Sequence, residues 1–132
     1  MKTFKEYVEN KGVRVWLDDV RNPRDKLIQQ NYGALPGMVW AKTVGEAISV
    51  LEQGNVTYLS FDHDLGTPET GYDLAKYIEE KAFNGEISKF DYRIHSDNPI
   101  GKENIIRAMK NAEKFWDRSQ LPLPQGEGLV AN

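Results

Sequence analysis

Short apolar runs rich in β-branched and aromatic residues alternate along this chain with longer segments whose apolar positions recur at helical spacing. The runs Val13 to Leu17, Met38 to Lys42, Thr57 to Phe61 and Asp91 to His95 have the length and composition of strands. Between the second and third, Val44, Ala47, Ile48 and Leu51 share one helical face; Thr43 and Glu46 form a capping-box pair ahead of it and Gly54 stops it. A second helix is predicted to begin near Thr70 or Gly71, with Leu74, Tyr77, Ile78 and Ala82 on one face and Gly85 beyond its end. A third follows Asn98-Pro99 and buries Ile105, Met109, Ala112 and Trp116, the proline suiting the first helical position. Pro23, Gly33, Pro36 and Gly37 leave room only for a short helix around Asp25 to Gln30. Strands that alternate with helices predict βαβ units and a parallel sheet.

The two ends fit this series less well. The first dozen residues read as an extension, a short helix presenting Phe4, Tyr7 and Val8 and ended by Gly12. The tail, residues 121–132, opens Leu121-Pro122-Leu123-Pro124 and continues through Gly126 and Gly128. It is too rich in proline and glycine for an ordinary fifth strand and helix, so an extended end is expected and the fifth strand reduced or absent.

At 132 residues, 39% hydrophobic and 28% charged, the chain is expected to form a single domain, 1–132, around one core. A formal net charge of −3 argues against gripping long double-stranded nucleic acid through a basic face, and leaves a small nucleotide or an RNA end open. There is no cysteine, hence no disulfide framework and no cysteine zinc site. The start lacks the apolar stretch of a signal peptide, and no segment approaches the roughly 20 apolar residues of a membrane span. The expectation is a cytoplasmic protein, of a bacterium or a virus-infected host cell, without membrane attachment; protein partners are not indicated.

The chemistry is concentrated where strands end. Asp18-Asp19 with Arg21 follows the first strand, Asp62-His63-Asp64 the third, and His95-Ser96-Asp97-Asn98 the fourth; His63 and His95 are the chain's two histidines. In an open parallel sheet the carboxyl ends of the strands share one edge, where ligands bind. Asp18, Asp19, Asp62 and Asp64 would crowd negative charge there unless a cation relieved it, and oxygen ligands suit Mg²⁺ or Mn²⁺. Each aspartate has a plainer use as a turn or helix cap. Imidazole titrates closest to neutrality, so the two histidines could serve as general base and acid or ligate a transition metal, and Asp62 or Asp64 could orient a ring. Ser96, Asn98 and the amides after Pro99 would lie at a helix N-terminus that favours an anion, with Lys102 and Arg21 adding positive charge; solvation of Lys102 and simple capping by Asn98 are the alternatives. Gly66 and Gly71 flank a loop, Thr67 to Thr70, over the same edge. Trp16 and Trp40 read as core rather than as stacking platforms.

Taken together, Leu17-Asp18-Asp19-Val20-Arg21-Asn22-Pro23, Ser60-Phe61-Asp62-His63-Asp64-Leu65-Gly66, Thr70-Gly71-Tyr72-Asp73 and His95-Ser96-Asp97-Asn98-Pro99-Ile100-Gly101 resemble the cyclic-phosphate-processing receiver-like domain family, from about Val13 to Met109. The resemblance implies an α/β receiver-like (flavodoxin-like) fold, an open parallel sheet with helices on both faces. It also implies processing, by hydrolysis or binding, of a small cyclic phosphate such as a cyclic nucleotide or a 2′,3′-cyclic phosphate RNA end. Asp18 and Asp19 match the acidic pair that holds Mg²⁺ in ordinary receivers, and Asp62 most nearly matches the phosphoacceptor. Ser96, or His95, falls where receivers place a hydroxyl. The lysine that ends a receiver's fifth strand has no recognisable counterpart, and histidines at two strand tips are foreign to phosphoacceptor chemistry.

The leading expectation is therefore a phosphoesterase in which Asp18, Asp19 and Asp62 hold Mg²⁺ or Mn²⁺. The catalytic set is His63, His95, Asp62 and Asp64, one histidine activating water and the other protonating the leaving oxygen. Arg21, Ser96, Asn98 and Lys102 would bind the phosphate. A module that sequesters a cyclic nucleotide without cutting it, and a divergent phosphoacceptor receiver in signalling, are the alternatives.

Overall fold

The structure, a computed structural model, describes residues 12–119. The N-terminal helix and the extended tail expected above lie outside the described residues. Four strands, β1 (Val13–Leu17), β2 (Val39–Ala41), β3 (Val56–Phe61) and β4 (Asp91–Ile94), form one parallel sheet in the order β2-β1-β3-β4. The helices are α1 (Lys26–Tyr32), α2 (Val44–Gln53), α3 (Gly71–Phe83) and α4 (Pro99–Ser119). Each expected element is present within a residue or two of its predicted ends, and no fifth strand occurs among the described residues. None of the described helices is long and apolar enough to cross a membrane.

Alternation along the strands sorts the side chains between two layers. Val15, Leu17, Leu59 and Phe61 pack with Val44, Ala47 and Leu51 of α2, Leu74 and Ile78 of α3, and Ile105, Met109 and Trp116 of α4 in the main core. Trp16 faces the other way, into a smaller cluster with Ala34, Met38 and the α1 residues Ile28 and Tyr32. Helices therefore cover both faces, as expected of a receiver-like fold. Each large side chain withdrawn fully from water, such as Leu59 or Phe61, contributes roughly 1.5–3 kcal/mol.

The caps follow local chemistry. Asp25 caps α1 by accepting from the Leu27 N–H at 2.8 Å, and Gly33 ends it in the left-handed conformation. Thr43 Oγ1 accepts from the Glu46 N–H at 3.1 Å, whereas Glu46 reaches one residue beyond the cap, to the Lys42 N–H at 2.8 Å. At α3 the reciprocal bond is made by Asp73, which accepts from the Thr70 N–H at 2.8 Å.

Candidate functional site

The strand order reverses direction between β1 and β3, so the chain leaves these two neighbours toward opposite sides and opens a crevice at their carboxyl ends. The pairing continues past the last strand residues and fixes the tips. Asp18 N–H donates to Ala41 O at 3.1 Å, Asp62 N–H to Leu17 O at 2.9 Å, and His95 N–H to Phe61 O at 2.8 Å. Trp40 Nε1 donates to the Asp18 carbonyl at 2.7 Å and Trp16 Nε1 to the Arg21 carbonyl at 2.8 Å, which pins the loop between them. Because side chains alternate, Trp16 and Asp18, Ser60 and Asp62, and Arg93 and His95 all turn toward the α1 side.

His95 is the centre of this group. Its ring lies flat on Trp16, with centroids 3.7 Å apart and planes 3° from parallel. Nδ1 is 2.8 Å from Ser60 Oγ and Nε2 is 3.0 Å from Asp18 Oδ2. A carboxylate can only accept, so in the neutral ring Nε2 carries the proton and Nδ1 accepts from the Ser60 hydroxyl. Both nitrogens are thus engaged, and the side chain is 1% exposed.

Asp18 is saturated in the same way. Oδ1 accepts from the Val20 and Arg21 N–H groups, each at 2.9 Å, while Oδ2 faces His95 and, at 3.1 Å, Arg21 Nη1. Burial pushes its carboxyl up, but the hydrogen bonds from His95, Arg21 and Val20 outweigh that and hold it down at about 2. Asp62 moves the other way: burial raises it first and the charge of Asp18 adds to the effect, against a single amide bond from His63 at 2.8 Å. Arg21 Nη1 lies 3.5 Å from Asp62 Oδ2, and Nη2 reaches Asp97 Oδ2 at 2.7 Å. The guanidinium rests 4.1 Å above the Tyr32 ring.

A second, more exposed group forms where the tip of β3 meets the first turn of α4. His63 packs on the first turn of α4 so closely that a Cβ on Gly101 would sit 2.3 Å from its Cγ. Asn98 caps α4 by accepting from the Gly101 N–H at 2.9 Å, and its Nδ2 donates to Asp64 Oδ2 at 3.2 Å. His63 Nδ1 has two candidate partners, Asp64 Oδ1 at 2.9 Å and Asn98 Nδ2 at 3.4 Å. The shorter, charge-assisted contact decides it: Nδ1 donates to Asp64, and Nε2 is left without a protein partner among the described residues. The bonds from His63 and then Asn98 hold the Asp64 carboxyl below its usual range.

The expected residues thus separate into those brought together and those left aside. Asp18, Asp62 and His95 form the potential cation-binding group, with one ligand atom from each all within 4.8 Å of one another. Asp19 stands outside that group, its carboxylate turned toward Gly66. Ser96 Oγ is taken by the Asn98 N–H at 3.0 Å, and Lys102 is exposed on the first turn of α4. Ser60 and Trp16 complete the buried group, partly buried Tyr32 and exposed Asp97 flank it, and none of the four was among the expected site residues. Ser60 carried a legible signal, a small hydroxyl between Leu59 and Phe61 on the same alternation as Asp62. Trp16 and Tyr32 carried none that separates them from ordinary core.

Compared with known protein families, the sequence matches the one described as the cyclic-phosphate processing receiver domain, over residues 13–111. The chain belongs to this family. No curated protein and no solved structure gives a match. Family membership accounts for the parallel sheet of this receiver domain. Histidine enters the potential cation-binding group through His95, so the donor set is two carboxylates and one imidazole rather than carboxylates alone.

Proposed function

We propose that this receiver domain opens a small cyclic phosphate by hydrolysis at the β1/β3 edge, with His63 as the group that moves the proton. One observation carries the reading. Asp64 holds His63 Nδ1 at 2.9 Å, which leaves Nε2 of the neutral ring unprotonated and without a protein partner among the described residues. That is the arrangement a general base needs. His95, stacked and bonded at both nitrogens, holds Asp18 in place instead, and would free Nε2 for a cation by carrying its proton on Nδ1, where Ser60 Oγ accepts it.

Asp18, Asp62 and His95 fit a divalent cation, which would polarise the phosphoryl oxygens. Their donor chemistry supports Mn²⁺ over Mg²⁺, because an imidazole is a poor ligand for the harder ion. Three acids, Asp18, Asp62 and Asp97, share a single arginine, Arg21, and an incoming phosphate needs more positive charge than that. In the reaction, water attacks phosphorus, His63 Nε2 takes the water proton, and the bond from phosphorus to one ring oxygen breaks. The leaving oxygen takes a proton from solvent and the His63 imidazolium returns its own to solvent, giving a phosphomonoester and a free hydroxyl. Asn98 and Asp64 hold the His63 ring during the transfer, and the Thr67 to Thr70 segment borders the same edge.

The test is mass spectrometry of 2′,3′-cyclic, 3′,5′-cyclic and cyclic oligonucleotide phosphates after incubation with the protein and Mn²⁺ or Mg²⁺. Ring opening by the native chain and its loss in His63→Ala are expected. Equal turnover by the variant would remove His63 from the chemistry. Retention of an intact ligand, seen as binding without product, would make the domain a sequestering module.

A further inference from the structure

The position suited to a cation is already filled by one of the chain's own. Arg21 Nη1 lies 3.1 Å from Asp18 Oδ2 and 3.5 Å from Asp62 Oδ2, between two of the three side chains able to hold an ion. A divalent ion needs those oxygens at roughly 2–2.2 Å, and a guanidinium nitrogen cannot remain at the same atoms. Two cations a few ångströms apart would also repel.

Arg21 has a second place to stay. Its other terminal nitrogen pairs with Asp97 at 2.7 Å, its plane lies 4.1 Å above the Tyr32 ring, and the Tyr32 hydroxyl reaches Asp97 at 3.4 Å. Asp97 is 69% exposed, so this outer anchor is at the rim of the crevice, whereas Asp18 and Asp62 are at its floor. The Arg21 backbone is fixed by Asp18 Oδ1 on its N–H and Trp16 on its carbonyl. Only the side chain is free to give up its inner contacts.

We propose that Arg21 is an exchangeable internal cation: it neutralises Asp18 and Asp62 until a divalent ion takes them, and then stays on Tyr32 and Asp97 with its inner nitrogen free for the phosphate. This rests on the cation-site reading given above. It makes Arg21 a residue that couples ion binding to phosphate capture, since the guanidinium becomes available only when the ion has arrived. A guanidinium suits that role because its fork serves two acceptors on different edges at once.

The deciding measurement is Mn²⁺ affinity, followed by electron paramagnetic resonance and calorimetry, for the native chain and Arg21→Gln. The glutamine variant removes the competitor and should bind Mn²⁺ about tenfold more tightly or better, the scale of one hydrogen bond to a charged group. Equal or weaker binding overturns the exchange while leaving the ion site standing. Absence of Mn²⁺ binding in both proteins removes the ion site itself, and the exchange with it. A second measurement needs no variant. Nitrogen NMR of the Arg21 guanidinium should shift at Mg²⁺ concentrations that displace bound Mn²⁺, and an unmoved signal would equally overturn the proposal.

Discussion

The two histidine-bearing halves of the crevice differ in almost every physical respect although both stand at strand tips beside an aspartate. His95 is 1% exposed, stacked on Trp16 and bonded at both ring nitrogens. His63 is 16% exposed, bonded to the protein through Nδ1, and braced by α4 rather than by the sheet. A buried ring with no free lone pair resists being displaced and changes protonation only at the expense of its neighbours. A ring 16% exposed, with one nitrogen committed and the other free, can exchange a proton with a ligand. On the proposed reading, two histidines in matching sequence contexts divide the work, one holding the anionic floor in place and one acting on the ligand.

Exchanging the roles by mutation is the most direct way to break that comparison. His63→Ala should reduce ring opening by about 10²- to 10⁴-fold, the range for a positioned acid or base. Its unfolding free energy should fall by only about 1 kcal/mol, because the ring, 16% exposed, packs on α4 but holds no other buried group in place. A much larger loss of stability in this variant would show that His63 is structural. His95→Ala should do the reverse and destabilise by about 3–4 kcal/mol, since it opens a cavity under Trp16 and strips a buried partner from Asp18. Denaturant unfolding reads this directly, and a loss below about 1 kcal/mol would mean that the buried triad is not what holds the tip.

Within the buried half the two aspartates oppose one another. Asp18 is held at about 2, below the 3.8 of a free aspartate, so the folded state favours its charged form. That stability, about 2.5 kcal/mol, is fully present above the ordinary value and is lost as pH falls from about 4 to 2. Asp62 is raised, so its ionised form costs stability at neutral pH, and the cost is relieved as pH falls through its folded value toward 3.8. Asp18→Asn should therefore lower the unfolding free energy at pH 7 by about 2.5 kcal/mol and flatten the acid limb below pH 4. Asp62→Asn should leave stability at pH 7 unchanged or raise it. Urea titrations of both variants at pH 7 and pH 3 check the signs, and a stabilising Asp18→Asn would reverse the assignment.

The alternation of apolar and polar runs was enough to place the sheet, the four described helices and their caps, because each rests on local chemistry: Asp25, Thr43 and Asn98 cap, Gly33 and Gly54 stop. The convergence of three strand tips was legible for the same reason. The membership of the cation group was only half legible. Successive residues at a strand end turn to opposite sides, so Asp18 and Asp19 do not share one centre, and the alternation that joins Asp18 to Trp16 also joins Asp62 to Ser60. Applied across the neighbouring strands, that rule selects His95 in place of Asp19. What no local pattern contains is the rotamer that lays His95 on Trp16, or the path that brings Asp97 to a terminal nitrogen of Arg21 and the Tyr32 ring against its guanidinium. Those depend on contacts between residues 76 and 65 positions apart in the chain.

The finest test of the division between the two halves lies at Gly101, where a methyl group has opposite consequences for helix and site. Alanine in the first turn of α4 gains helix propensity of about 1 kcal/mol over glycine, and nothing in the backbone forbids it. Its Cβ, however, would stand 2.3 Å from His63 Cγ and 2.7 Å from Nδ1, so the ring must leave α4 and give up its bond to Asp64. Gly101→Ala should thus leave the unfolding free energy within about 1 kcal/mol of the native value. Ring opening should still fall by about tenfold, as misplacement of a catalytic group predicts, with the loss in kcat rather than KM. Mn²⁺ affinity should be unaffected, because Asp18, Asp62 and His95 belong to the strand tips and not to the helix. A parallel loss of Mn²⁺ binding would show the two halves to be one mechanical unit, whereas a loss confined to kcat assigns the proton transfer to the half that α4 supports.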